Sequence, residues 1–114
     1  MTKKEYQQMM EDTLAEMQQI LKAKNHDYTA GSSDPFANFR LAELEGVDPV
    51  KGLMIRVSDK MQRLRAFINS GKLLVKGESF EDAIHDIIGY MLIVKGMLIE
   101  KSNDEDRDSS TSMG

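Results

Sequence analysis

Two stretches of the chain place charges one helical turn apart. Arg56, Asp59, Lys60 and Arg63 form a mixed, mostly basic strip, and Glu78, Asp82 and Asp86 form a strip of carboxylates. Residues three or four apart share a helix face, so each set lies along one side of its helix. Carboxylates can hold a hard cation such as Mg²⁺ through oxygen, and Arg and Lys can hold phosphate. The two strips stand about twenty residues apart in the chain with a turn between them, an arrangement that points to a phosphorylated ligand. A plainer reading is a seam of interhelical salt bridges on a solvated surface. Like charges one turn apart repel by only about 0.2–0.5 kcal/mol per exposed pair, so spacing alone leaves both readings open.

A second polar cluster, Asn25-His26-Asp27-Tyr28, gathers an imidazole, a carboxylate and a phenol in a chain with two His and three Tyr. Functional loops concentrate such groups. The alternative is a turn in which Asn25 or Asp27 bonds backbone amides while Tyr28 packs. His85 points away from the acidic strip and reads as a surface residue. No phosphate-binding glycine loop is present, since Gly31 is not followed by Gly-Lys-Ser or Gly-Lys-Thr.

Helices must position these groups. Thr2 and Glu5 form a capping box, and Tyr6, Met9, Met10, Thr13, Leu14, Met17, Ile20 and Leu21 follow as one apolar face fading near Lys24 or Asn25. Residues 25–33 are then expected as a loop. Asp34-Pro35 and Asp48-Pro49 each read as an N-cap followed by Pro at the first helical position. They predict a short helix over about 34–44, ended by Gly46, and a longer one over about 48–69, stopped at Gly71. The longer helix is expected to bury Val50, Leu53, Met54, Val57, Met61, Leu64 and Ile68. Leu73, Leu74 and Val75 could make a short extended piece, which alone builds no sheet.

Ser79, with Asp82 as its capping-box partner, predicts a last helix over about 79–101. Its core face centres near Phe80, Ile87, Met91 and Leu98. Apolar residues cover so much of its circumference that it should be central or shared with a second subunit. Residues 102–114 mix charges with Ser and Thr and are expected to be disordered. The fold class is therefore all-α, a four-helix-bundle-like domain over 1–101 with an acidic, Ser-rich tail.

Composition narrows the function. The 114 residues include no Cys, nine Met, no Trp and two Pro, with a formal net charge of -4. That removes disulfides, thiolate metal sites and cysteine nucleophiles, and argues against general duplex nucleic-acid binding. No signal peptide is legible after Met1, and the apolar run from Ile87 to Leu98 falls short of the ~20 residues a span needs. A cytoplasmic protein is the expectation.

Taken in order, the marked residues form a recognisable set. They run Lys24-Asn25-His26-Asp27-Tyr28, then Asp34-Pro35-Phe36-Ala37-Asn38-Phe39-Arg40, then Arg56-Val57-Ser58-Asp59-Lys60 with Arg63-Leu64, then Glu78-Ser79, Asp82, Asp86 and Gly89-Tyr90. The set resembles the nucleotide-modification-associated, MazG-like proteins of phages and prophages, distant relatives of the all-α nucleoside triphosphate pyrophosphatases. The resemblance spans about residues 22–98. It implies a helical bundle, dimeric or tetrameric, with a Mg²⁺-dependent nucleotide site that cleaves a triphosphate between the α and β phosphorus atoms. It further implies Asp59, Glu78, Asp82 and Asp86 as metal ligands, with Asp59, Asp82 and Asp86 catalytic. Arg56, Lys60 and Arg63 would be phosphate contacts, and Asp27, Tyr28 and Asn38 would shape the nucleotide pocket. One departure stands out: the related enzymes carry Glu-x-x-Glu where this chain has Arg56-x-x-Asp59. That leaves two outcomes open, one metal ion rather than two, or nucleotide binding without cleavage.

Overall fold

The computed structural model describes residues 1–72 and 79–113, with the side chains of 108–113 excepted. The described chain is all helical and bundle-like in its elements, as the sequence predicted: α1 Lys3–Thr29, α2 Ala37–Arg40, a 3-10 turn η1 Leu41–Glu45, α3 Pro49–Ser70 and α4 Phe80–Met113. Glu78 and the expected extended piece Leu73–Val75 lie outside the described residues. Contacts divide the chain into two compact units, Met1–Asn38 and Phe39–Gly114.

In the first unit the Thr2 hydroxyl accepts the Glu5 amide at 3.1 Å, the expected start of α1. The end differs from expectation. The helix runs through Thr29 and closes at Ala30, which adopts the left-handed conformation at φ 49° just before Gly31 at φ 85°. Asn25, His26, Asp27 and Tyr28 are therefore the last helical turns and not a loop. Their low helix propensity is a matter of tenths of a kcal/mol per residue, and no breaker stands before Gly31. Asn25 also anchors the next segment, donating to the Pro35 carbonyl at 2.9 Å. Asp34 accepts the Phe36 amide at 3.0 Å, so Asp34-Pro35 makes a turn that leads into α2.

The second unit follows its caps closely. Gly46 ends η1 at φ 73°. The Asp48 carboxylate accepts the Val50 amide at 2.8 Å, Pro49 opens α3, and Gly71 closes it at φ 75° with its amide on the Phe67 carbonyl. Both glycines supply a backbone geometry that a Cβ would strain. At Gly52 a Cβ would stand 3.9 Å from Val47 and 4.0 Å from Ala42, ordinary van der Waals contact, so the packing of η1 beside α3 does not depend on a glycine there. At α4 the box is reciprocal, with the Ser79 hydroxyl accepting the Asp82 amide and Asp82 accepting the Ser79 amide, both at 3.1 Å.

α3 packs on α4. Phe67 stacks on Phe80 with centroids 5.0 Å apart, Lys60 meets Asp86, and Pro49 and Val50 lie near Met97 and Glu100. Partners climb α4 as they descend α3, so the pair is antiparallel. Leu53 and Val57 are buried from α3, and Ala83, Val94 and Met97 from α4.

The buried faces differ from the expected ones. Met54, Met61 and Ile68 are exposed on α3, and Phe80, Ile84, Met91, Leu92 and Leu98 are exposed on α4; so are Tyr6, Met9, Met10 and Leu14 on α1. The face of α4 that packs on α3 is rotated by roughly a quarter turn from the most apolar arc. One neighbouring helix covers only one arc, so apolar character all round cannot all be buried by it. α4 also continues through Met113, where a disordered segment from residue 102 was expected.

Two outcomes check this account. Leu53→Ala removes a side chain only 2% exposed and should cost about 2–5 kcal/mol in urea unfolding. Asp48→Ala should cost about 1 kcal/mol by removing the α3 cap, without changing the helical circular dichroism spectrum.

Candidate functional site: a charged seam between α3 and α4

The centre of the seam is an ion pair. Lys60 Nζ lies 2.9 Å from Asp86 Oδ2, and the two side chains are only 20% and 25% exposed. Lys60 lies in line with Val57 and Leu64 on the packed side of α3, so its stem is covered while its ammonium reaches the carboxylate. Half-burial raises the stake of the pair, because either charge alone would be left partly desolvated.

Arg56 and Arg63 stand one turn to either side of Lys60. The Arg56 guanidinium lies over the Phe39 ring at 6.0 Å from the centroid, an edge-of-range cation–π contact. Arg63 is half-buried and engaged with neighbours. Arg56, Lys60 and Arg63 therefore lie along one side of α3, with Lys60 reaching Asp86 of α4 and Arg56 reaching Phe39 of α2.

The acidic strip is not gathered in the same way. Asp82 is exposed and its carboxylate serves the α4 cap. Asp59 is exposed on α3. Asp86 alone of the described set joins the Lys60 seam. Among the described residues no three His, Asp or Glu side chains converge as a metal-holding group. Glu78, the remaining expected ligand, lies outside the described residues.

The remaining candidates belong to the first unit. His26 Nδ1 and Asp27 Oδ1 are 3.7 Å apart with both side chains more than four-fifths exposed, so the contact carries little energy. Tyr28 is exposed and has an interaction of its own, and Asn38 is half-buried.

One strong pair escaped the sequence reading. Arg40 grips Glu100 through one nitrogen, at 2.8 and 3.0 Å to the two carboxylate oxygens, across sixty positions of chain. It ties the end of α2 to α4 and lines an open cavity of about 460 Å³ with Glu43, Asp48, Met97, Lys101 and Asp104. Local spacing holds no signal for a pair so distant; the Arg in Asn38-Phe39-Arg40 was visible, its partner was not.

No protein-family model, curated protein or solved structure matches this chain. Among the described residues, no helix is long and apolar enough to cross a membrane.

The seam predicts a measurable coupling. In a double-mutant cycle of Lys60→Met and Asp86→Asn, each single change should destabilise the fold and the pair should couple by about 1–2 kcal/mol, above the range of exposed pairs. Urea unfolding of the four proteins reads it. Asp82→Ala should cost about 1 kcal/mol through its cap alone and show no coupling to Lys60.

Proposed function

We propose that this chain is a MazG-like nucleotide pyrophosphohydrolase, taking a nucleoside or deoxynucleoside triphosphate as its Mg²⁺ complex. The observation that carries the reading is the basic side of α3, where Arg56, Lys60 and Arg63 stand at one-turn spacing and Lys60 meets Asp86 of α4. Polyphosphate is the ligand class that such a row of donors fits, since each phosphate oxygen can take a charge-assisted hydrogen bond. Hydrolysis would add water across the α–β anhydride bond, leaving the monophosphate and pyrophosphate. Mg²⁺ belongs to the substrate in this reading: it is commonly held by one or two carboxylates plus phosphate oxygens, without a dedicated protein cage. Asp86, which pairs with Lys60, and Asp59, which adjoins Lys60 in sequence, would supply those carboxylates. In a phage or prophage setting the activity would serve nucleotide metabolism or DNA modification, in the cytoplasm.

A second reading rests on the Lys60–Asp86 pair itself, which fills the seam with a ready-made salt bridge. The same protein would then sequester a nucleotide without cleaving it, or serve only as a helical assembly module. Incubation with a panel of triphosphates and Mg²⁺, followed by chromatography for monophosphate and pyrophosphate, separates the cases. Product lost in Asp86→Asn and Asp59→Asn supports the enzyme. A nucleotide-dependent rise in melting temperature without product supports sequestration. Arg56→Ala and Arg63→Ala should each weaken binding by about tenfold or more, the loss of one charge-assisted contact. A panel that gives neither product nor thermal shift overturns the nucleotide reading.

A further inference from the structure

Phe39 and Arg40 are neighbours in the chain that reach two different helices. Phe39 is buried, 6% exposed, and its ring lies under the Arg56 guanidinium at 6.0 Å from the centroid. Arg40 donates from Nη2 to both carboxylate oxygens of Glu100, at 2.8 and 3.0 Å. All four residues belong to the unit Phe39–Gly114, so a line of contacts runs from Glu100 through Arg40 and Phe39 to Arg56 within one compact body.

We infer that Arg40 is a positioning residue: its grip on Glu100 holds the Phe39 ring where the ring steadies Arg56 in the row of bases. For the role of Arg56 the inference rests on the proposed nucleotide reading. α2 is a single turn of four residues, and a helix so short has too few hydrogen bonds to be stable by itself. Side-chain anchors must fix its rotation. Adjacent residues of a helix point about 100° apart, so holding Arg40 toward Glu100 also sets the direction of Phe39.

The contact is sensitive to that direction. A cation–π attraction fades beyond about 6 Å, and Arg56 stands at this limit from the Phe39 centroid. A small turn of α2 therefore releases it. Arg56 is exposed and has several rotatable bonds, and ordering such a side chain on binding costs affinity. A ring that already limits its motion lowers that cost before a phosphate arrives. The Arg40–Glu100 pair is itself partly exposed, at 35% and 43%, so its own contribution to stability is small. Its leverage lies in where it aims Phe39.

Calorimetric titration of the full chain with inorganic tripolyphosphate tests this, with circular dichroism showing each variant folded at the titration temperature. Arg40→Met and Glu100→Gln should each weaken binding about threefold, the factor that one exposed cation–π contact corresponds to. Arg40→Lys, which keeps a cation for Glu100, should recover part of the loss. In an Arg56→Ala background the first two changes should have no further effect, because the residue they act through is gone. Losses that persist in that background overturn the inference, since Arg40 then acts by itself or through the whole fold. Wild-type affinity in both single variants overturns it as well. A second readout needs no ligand. In NMR spectra the Arg56 side-chain protons carry a ring-current shift from Phe39, which Phe39→Leu removes. Arg40→Met should move those protons toward their Phe39→Leu positions, and resonances that stay at wild-type values sink the inference. A wild-type chain that ignores tripolyphosphate counts against the nucleotide reading, and the spectra then decide whether Arg40 positions Arg56.

Discussion

The antiparallel packing of α3 on α4 sets which charges of those two helices meet, and a few small contacts set that packing. Leu53 and Val57 meet the side of α4 that carries Ala83, Val94 and Met97, all buried, while Phe67 and Phe80 stack where the two helices turn toward one another. The small Ala83 belongs to the packed side while larger Ile84 does not, so the helix is turned by its shape as much as by its hydrophobicity. With that rotation chosen, Asp86 comes to face Lys60, and Asp82 is left to the helix cap.

A half-buried ion pair at such a seam has two properties at once. It resists separation, because each partner would otherwise carry a partly desolvated charge. It also holds a lysine ammonium ready beside two arginines, in a place where an anion of higher charge can compete for it. Under the proposed function, stability and recognition would draw on the same groups. The bland and the functional readings of the strip are therefore less opposed than the sequence makes them look.

Hydrophobic patterning was legible as far as it was local. The caps at Thr2, Asp48 and Ser79 follow from side chains within three residues of the backbone groups they satisfy, and the stops at Gly46 and Gly71 from glycine's access to positive φ. The end of α1 was not legible, because weak helix formers such as Asn25, His26 and Asp27 are overruled at small cost when no breaker intervenes. Nor was the choice of arc on α4. A helix apolar on most sides carries no mark of which side its neighbour will take, and the neighbour took the side bearing Ala83 and Asp86.

What the sequence by itself determined is the set of helices, their caps and the rows of charge along them, since each depends on residues one turn apart. The tertiary structure alone decided which rows meet. It joined Lys60 to Asp86, left Asp59 and Asp82 exposed, and linked Arg40 to Glu100 across the chain. The physical reason is that helix rotation and pairing arise from the fit of whole faces, a property of two elements together and of neither one read along its own length.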